Sequence, residues 1–377
     1  MLRWPFLLVV VLAPLPLGSN RPIPWTLLAL AVGILLLAWS GAAVLRPGRG
    51  VVPPDRFWPA VVGLVLVAGI ALLQMTALSP RAWQHPLWVQ AGAVLGPQVG
   101  GRISVNPHET GTALMRLLSY AGVFWLALQL GREPHGARRI VQAIALAGLG
   151  YAVYGLLVFL LDLQLVLWWR KWTWMTGVTS SFVNRNSYAT YAGLGLICTV
   201  GLLITTVYRD WRSRRFRRLP WRVRLLRITW RGWWLVGGTA CLAFALLLTG
   251  SRAGVASSAA GLAVLVASFG LTRLMRQRDV LTTGGLALTV GVAALVLGGD
   301  DLVHRLAQKD VQDDPRFATY QRIAHAVTEA PWLGTGYGTF PEVFRSYQSG
   351  ASNAFWNHAH NTYLENALEL GVPTAAT

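Results

Sequence analysis

Charge is the scarcest property of this sequence. Only 13% of its 377 residues are Asp, Glu, Lys or Arg, whereas 54% are hydrophobic. In a soluble domain about a quarter of the residues are charged, since they must cover its surface. Long apolar runs recur along most of the chain, at lengths typical of membrane-spanning helices. The composition therefore excludes a soluble enzyme and a disordered chain, and it predicts an all-α polytopic membrane protein.

Cysteine is almost absent as well, which excludes a disulfide-stabilised scaffold. The only two cysteines, Cys198 and Cys241, both lie within apolar stretches. Such isolated thiols predict neither a disulfide nor a cysteine metal site. No metal and no other cofactor are expected.

Acidic residues and lysines are also few. There are 15 Asp and Glu against 33 basic residues, and only Lys171 and Lys309 are lysines. The net charge of +18 at first suggests a nucleic-acid partner. Ten arginines, however, fall between Arg209 and Arg231, between two apolar stretches. Basic residues in such loops set membrane orientation and bind anionic headgroups, so membrane lipids and not nucleic acid are the expected partners.

Apolar windows of about 17 to 22 residues predict about ten transmembrane helices. The first window is short and contains Pro14 and Pro16, so a signal peptide is the alternative there. Residues 1–298 are predicted to form a transmembrane bundle of nine spans, and residues 362–377 the start of a tenth, truncated span. The nine spans lie near 4–18, 25–45, 58–78, 113–130, 140–161, 187–207, 233–249, 254–271 and 280–298.

Loop charges predict the orientation of this bundle. With a cytoplasmic N-terminus, the loops on the inner side hold 20 of the 33 basic residues. Residues 299–361 then form a large outer loop with short helices, and this loop is the most acidic part of the chain. The asymmetry obeys the positive-inside rule.

Four tryptophans cluster where the fifth predicted span leaves the bilayer. They are Trp168, Trp169, Trp172 and Trp174. Indole rings are amphipathic and collect at membrane interfaces, so the cluster indicates an interfacial belt; a ligand-stacking surface is the alternative.

Two polar turns precede predicted spans on the outer side. In the first, Asn184 and Asn186 flank Arg185, which suits sugar hydroxyls and a phosphate, since Arg presents a planar fork to phosphate oxygens. An Asn-capped turn with an Arg reaching the interface explains the same residues equally well. In the second, the small residues around Gly250 place Arg252 beside a helix N-terminus, which favours a lipid-linked phosphate.

An amphipathic helix is predicted from Pro315 to Ala330. Its apolar stripe comprises Phe317, Tyr320, Ala324 and Val327. Arg316 lies in the first turn, where a cation is unfavourable unless an anion binds nearby. Arg322 lies well round the helix from Arg316 and is expected to be solvated. The glycine-rich residues 334–338 follow no strand and open no βαβ unit, so they predict a tight turn and not a nucleotide site.

Two histidines precede the last apolar run. His358 and His360 are followed by Asn361, and Glu365 and Glu369 lie at helical spacing from that asparagine. Histidine is the side chain best suited to accept a proton near neutral pH. A metal site would need more ligands than His-x-His supplies, so none is predicted. A capping segment with interfacial imidazoles is the alternative to a catalytic one.

These polar segments resemble those of the O-antigen ligase and polymerase superfamily of bacterial inner-membrane proteins. The resemblance covers about residues 180–377. It rests on Phe182-Val183-Asn184-Arg185-Asn186, Gly250-Ser251-Arg252-Ala253-Gly254, Pro331 to Phe340 and His358 to Glu365. The ligase pattern places a G-x-x-G-T-T motif nine residues after its His and polar residue. Gly371 fits that spacing, whereas Thr374 and Ala375 depart from the motif.

The resemblance implies a glycosyltransferase that moves a glycan from undecaprenyl pyrophosphate to an acceptor hydroxyl, without a metal, at the periplasmic face of the inner membrane. It implies that Arg252 and Arg316 bind the pyrophosphate and that His360 is the catalytic base. The expected secondary substrate contacts are Asn184, Arg185, Asn186, Arg322, His358 and Asn361. Part of the active site is then carried by residues 299–361.

The sequence leaves three classes of acceptor open. It is a lipid A core in an O-antigen ligase, a second lipid-linked glycan in an O-antigen or exopolysaccharide polymerase, or a protein hydroxyl in a protein O-oligosaccharyltransferase. A lipid-linked glycan transporter is the alternative from another class. A transporter would need polar groups deeper in its spans, and the predicted spans here are nearly uncharged.

Overall fold

The computed structural model describes residues 2–45, 51–96, 99–212, 229–271, 285, 316–348 and 356–377. Within these ranges the chain is mainly helical, with one short antiparallel pair of strands, β1 (Leu165–Val166) and β2 (Trp169–Arg170). The helices, numbered in chain order within the described ranges, are α1 (Arg3–Leu12), α2 (Pro22–Leu45), α3 (Trp58–Met75), α4 (Leu87–Leu95), α5 (Pro107–Gly131), α6 (Pro134–Leu160), α7 (Arg185–Arg212), α8 (Trp230–Leu248), α9 (Arg252–Leu271), α10 (Arg316–Glu329), α11 (Phe340–Phe344), α12 (Thr362–Leu370) and α13 (Val372–Ala375).

Seven of these helical segments are long and apolar enough to cross a membrane. They are α2, the segment Pro54–Met75 that contains α3, α5, α6, residues Arg185–Asp210 of α7, α8 and α9. A helix of about 20 residues matches the roughly 30 Å hydrocarbon core, and it satisfies its own backbone hydrogen bonds there. The predicted all-α polytopic membrane fold is confirmed.

The first predicted span is shorter in the structure. α1 ends at Leu12, because Pro14 and Pro16 have no amide hydrogen to continue the helix. The Ser19 hydroxyl then donates to the carbonyl oxygen of Ala13 and closes the turn that follows. Ten residues cover about 15 Å, half of a bilayer core.

The last apolar run also forms a short helix. α12 has nine residues and ends at Leu370, because Gly371 adopts a φ of +80° and Pro373 follows. The predicted span at 280–298 lies outside the described residues, apart from Gly285.

Contacts within the chain define two compact units. The first comprises Met1–Gly41 and Leu126–Lys309, and the second comprises Ala42–Trp125 and Asp310–Thr377. These units are defined by contacts and not by membrane position, so the predicted domain boundaries at residues 298 and 361 stay predictions.

In the first unit, α6, α7 and α8 surround a core that depends on small residues. A Cβ atom added at Gly148 of α6 would lie 3.0 Å from the Cα atom of Gly195 of α7. Small residues let apolar helices approach closely and gain van der Waals contact, which is how helices associate in lipid. Ala152, Tyr188 and Leu242 are fully buried in this core.

In the second unit, Gln74 of α3 holds the turn after α10. Its buried Nε2 donates to the backbone oxygens of Leu333 (2.7 Å) and Glu369 (2.8 Å), and its Oε1 accepts from the Tyr337 amide (2.9 Å). Gly334 has a φ of +64°, and an added Cβ there would lie 2.3 Å from the Glu369 oxygen. The close contact of this turn with α12 therefore requires glycine.

Replacing Gln74 with Leu should destabilise the protein by about 3 kcal/mol or more, because each buried backbone group left unsatisfied costs about 1–3 kcal/mol. A lower midpoint of thermal unfolding in detergent would show this. Gln90, which is exposed on α4, supplies the matched control, and Gln90→Leu should leave that midpoint unchanged. Equal stability of the two variants would refute the role given to Gln74.

Candidate active site

The predicted histidines lie in the second unit, in residues 356–365, hereafter the histidine segment. Asn361 caps α12, because its Oδ1 accepts from the amides of Tyr363 (3.1 Å) and Leu364 (3.3 Å). This is the usual role of Asn at a helix N-terminus. The cap fixes the point at which the chain turns from the histidines into α12.

His358 is paired with a carboxylate. Its Nδ1 lies 2.9 Å from Oε1 of Glu365, and Oε2 of the same carboxylate accepts from the Ala359 amide at 2.8 Å. The hydrogen bond to Glu365 raises the pKa of His358, because it favours the charged ring, whereas burial lowers that pKa. Among the nearby charges, those of Glu365 and Glu369 raise the pKa and that of Arg116 lowers it. The sequence placed Glu365 at helical spacing from Asn361 but did not predict its pairing with His358.

His360 has a different setting. Its φ is +54°, in the left-handed region, and its side chain is exposed. The ring contacts Trp356 edge to face, with 5.9 Å between ring centroids, and its backbone oxygen accepts from the Tyr320 hydroxyl at 3.3 Å. A left-handed residue other than Gly costs about 1–3 kcal/mol and often marks a functional site.

Glu369 is the most deeply buried carboxyl of this region. Its side chain is 3% exposed, and its two oxygens accept from the amides of Gly338 (2.8 Å) and Phe340 (2.9 Å). Burial raises the pKa of Glu369 to about 8, although both amide bonds favour the ionised form. Glu369 therefore holds the glycine-rich residues 334–338, which form turns as predicted.

Sequence reasoning missed Arg116 altogether. It lies within the apolar helix α5, in the part of that helix that belongs to the second unit, and its charge lowers the pKa of His358. The signal was available, because an ionisable residue inside a predicted span is a candidate functional residue.

The buried face of α10 agrees in part with the predicted apolar stripe. Among the described side chains of this helix, Thr319, Ile323 and Ala326 are buried, and Tyr320 and Val327 pack half-buried against the same core. Ala324 is exposed, and the side chain of Phe317 lies outside the described residues. Arg322 is exposed, as expected for a solvated residue.

The two predicted pyrophosphate-binding arginines occupy matching positions. Arg316 is the first residue of α10, and its side chain is outside the part of the chain that the structure describes. Arg252 is the first residue of α9 and is exposed. Ser251 precedes Arg252, and its Oγ accepts from the Gly254 amide at 3.2 Å. Arg252 belongs to the first unit, whereas Arg316, His358 and His360 belong to the second.

In the first unit the structure brings the two polar turns together. The Arg185 guanidinium carbon lies 4.5 Å from the centroid of the Trp174 ring, and Nη1 lies 3.3 Å from the position that a Cβ of Gly250 would take. Asn184 is a turn residue, since its Oδ1 accepts from the Asn186 amide at 2.8 Å. The sequence left a ligand site and a capped turn open here, and the local geometry is that of a capped turn.

Metal ligands do not converge in the described part of the chain. No group of three or more His, Cys, Asp or Glu side chains there is arranged to hold a metal ion.

Comparison with known proteins gives one match. Residues 237–377 match the family model described as O-antigen ligase. No curated protein and no solved structure matches this chain. The matched residues include α8 from Gly237 onward, α9, α10 and the whole histidine segment. The resemblance of this membrane protein to the O-antigen ligase superfamily is thus confirmed over residues 237–377.

Proposed function

We propose that this protein is a glycosyltransferase that moves a glycan from undecaprenyl pyrophosphate to an acceptor hydroxyl at the periplasmic face of the bacterial inner membrane. One observation carries the proposal: Arg252, Arg316 and His360 all lie within the residues that match the O-antigen ligase family. Seven candidate spans support a lipid-linked donor, which must be taken from the bilayer.

Arg252 and Arg316 bind the pyrophosphate of the donor in this proposal. Each is the first residue of a helix, where the helix dipole favours an anion. A guanidinium adds two parallel hydrogen bonds to phosphate oxygens. The leaving pyrophosphate gains charge in the transition state, so these contacts strengthen as the reaction proceeds. Arg185, Asn184, Asn186 and Arg322 stay secondary candidates for the rest of the substrate.

His360 accepts the proton of the acceptor hydroxyl. The hydroxyl oxygen forms a bond to the anomeric carbon, and the bond from that carbon to the phosphate oxygen breaks. The electron pair leaves with undecaprenyl pyrophosphate, and the proton passes to the imidazole. The exposed ring and the left-handed backbone of His360 present it at the surface of the histidine segment.

The reaction should need no divalent metal, because two guanidiniums neutralise the leaving group. The test is transfer from an undecaprenyl-pyrophosphate glycan by the purified protein in lipid nanodiscs, with and without EDTA. Transfer should appear and should persist in EDTA. Loss of transfer in EDTA, with recovery on adding Mg²⁺ or Mn²⁺, would contradict the metal-independent reaction.

The same assay separates the acceptor classes. Lipid A core, a second lipid-linked glycan and a protein with exposed hydroxyls are offered in parallel. Elongation of the lipid-linked glycan alone would identify a polymerase, whereas modification of lipid A core alone would identify a ligase. Modification of the protein alone would identify a protein O-oligosaccharyltransferase.

A further inference from the structure

The His358 and Glu365 pair differs from an ordinary surface pair. Nδ1 of His358 lies 2.9 Å from the carboxylate, and the Glu365 side chain is only 20% exposed. In the pair formed by His325 and Glu329 the corresponding distance is 3.7 Å, and both side chains are more than half exposed. The Glu365 carboxylate also accepts a hydrogen bond from the Ala359 amide at 2.8 Å, and this second contact favours its orientation toward the ring.

This geometry decides which ring nitrogen of His358 carries a proton. A carboxylate oxygen only accepts, so the nitrogen beside it, Nδ1, donates. The other nitrogen, Nε2, is then left for a ligand, and the side chain is 61% exposed. Protonation of Nε2 makes the ring a cation with an outward hydrogen-bond donor, and the adjacent carboxylate favours that cation.

The same carboxylate holds the backbone between the two histidines. The Ala359 amide donates to Glu365, and His360 follows at once in the left-handed region. Glu365 thus orients the His358 ring directly and the His360 backbone indirectly. Glu365 stabilises the cationic form of His358, and a stabilised cation close to a second histidine is an arrangement that can separate acid and base roles.

We propose that Glu365 is a positioning residue that holds His358 as a protonated hydrogen-bond donor to a phosphate oxygen of the lipid-linked donor. This inference rests on the proposed function. His358 neutralises charge on the leaving pyrophosphate, and His360 accepts the acceptor proton. A phospholipid headgroup offers the same chemistry, so the experiment must distinguish the two sources of phosphate.

The test measures binding of undecaprenyl pyrophosphate to the protein in phosphatidylcholine nanodiscs between pH 6 and pH 9. Binding should weaken as the pH rises through the raised pKa of His358, which Glu365, Glu369 and Arg116 together set. In Glu365→Gln the side-chain oxygen of the glutamine can still accept from the Ala359 backbone N–H, but the negative charge is lost. The pKa of His358 falls, so binding should weaken at a lower pH than in the wild type.

A charge rescue separates the cationic role from a merely structural one. His358→Gln should weaken binding at pH 6.5 about tenfold, the order expected for one charge-assisted hydrogen bond. His358→Lys should recover most of this loss and abolish the pH dependence. Glu329→Gln is the matched control, and its titration should follow the wild type.

The outcomes are distinct. An unchanged titration in Glu365→Gln, or no rescue by His358→Lys, would overturn the assignment. If phosphatidylglycerol added to the nanodiscs competes with undecaprenyl pyrophosphate at His358, the phosphate is a headgroup and the donor assignment is wrong. Wild-type binding that shifts as expected without any glycan transfer would support the role of Glu365 and count against the proposed reaction.

Discussion

His360→Ala should lower the rate of glycan transfer by about 10²- to 10⁴-fold, the usual effect of losing a positioned general base. The effect should appear in kcat, because the base acts in the chemical step. Donor binding should change little. Single-turnover transfer from the lipid-linked glycan, measured together with donor binding, separates an effect on the chemical step from an effect on binding.

Two further variants make this result specific. His360 adopts a left-handed φ, and Asn tolerates that conformation better than Ala does, so His360→Asn tests loss of the imidazole with less backbone strain. Both variants should be equally impaired. His358→Ala should cost far less, on the order of tenfold. Loss of turnover in His358→Ala with retention in His360→Ala would reverse the roles of the two histidines.

The Arg252→Ala and Arg316→Ala variants should each lower kcat/KM for the donor by about 10- to 100-fold, since each removes a charge-assisted contact to the pyrophosphate. The double variant should be inactive within detection. Lys at either position should restore only part of the activity, because a point charge cannot reproduce the two parallel hydrogen bonds of a guanidinium.

The control for this prediction is Arg138→Ala. Arg138 is exposed near the start of α6, between the predicted spans 113–130 and 140–161, a segment that the loop charges predict to be cytoplasmic, so its loss should leave transfer unchanged. Thermal unfolding of each variant would show that the fold is intact. Full activity of a well-folded double variant would remove the arginines from the proposed pyrophosphate site.

The sequence by itself determined the fold class. Scarce charge and apolar runs of membrane-spanning length leave an all-helical membrane protein as the architecture, because lipid cannot solvate exposed backbone groups. Local signals of the same kind placed Arg252 at a helix start and Asn361 immediately before one. Interactions within one turn of a helix depend on neighbouring residues alone, so sequence spacing is enough to predict them.

Contacts between distant segments were decided only by the tertiary structure. Gln74 is a polar residue in an apolar span, and the sequence does not show that it bonds to the backbone of Leu333, Tyr337 and Glu369. The sequence likewise gives no sign that Glu369 is buried against the amides of Gly338 and Phe340. The Gln74 hydrogen bonds join residues more than 250 positions apart and those of the Glu369 side chain join residues about 30 positions apart, and neither kind leaves a periodicity in the sequence.

The histidine segment lies between these two cases. Its residue types and spacing indicated proton chemistry, and seven residues separate His358 from Glu365. Between the two paired residues the chain passes through a left-handed turn at His360, a conformation that propensity disfavours for a residue other than Gly, Asn or Asp. The sequence therefore indicated the candidate residues, and only the folded backbone showed that the Glu365 carboxylate meets His358, because neither local spacing nor propensity predicts the left-handed turn between them.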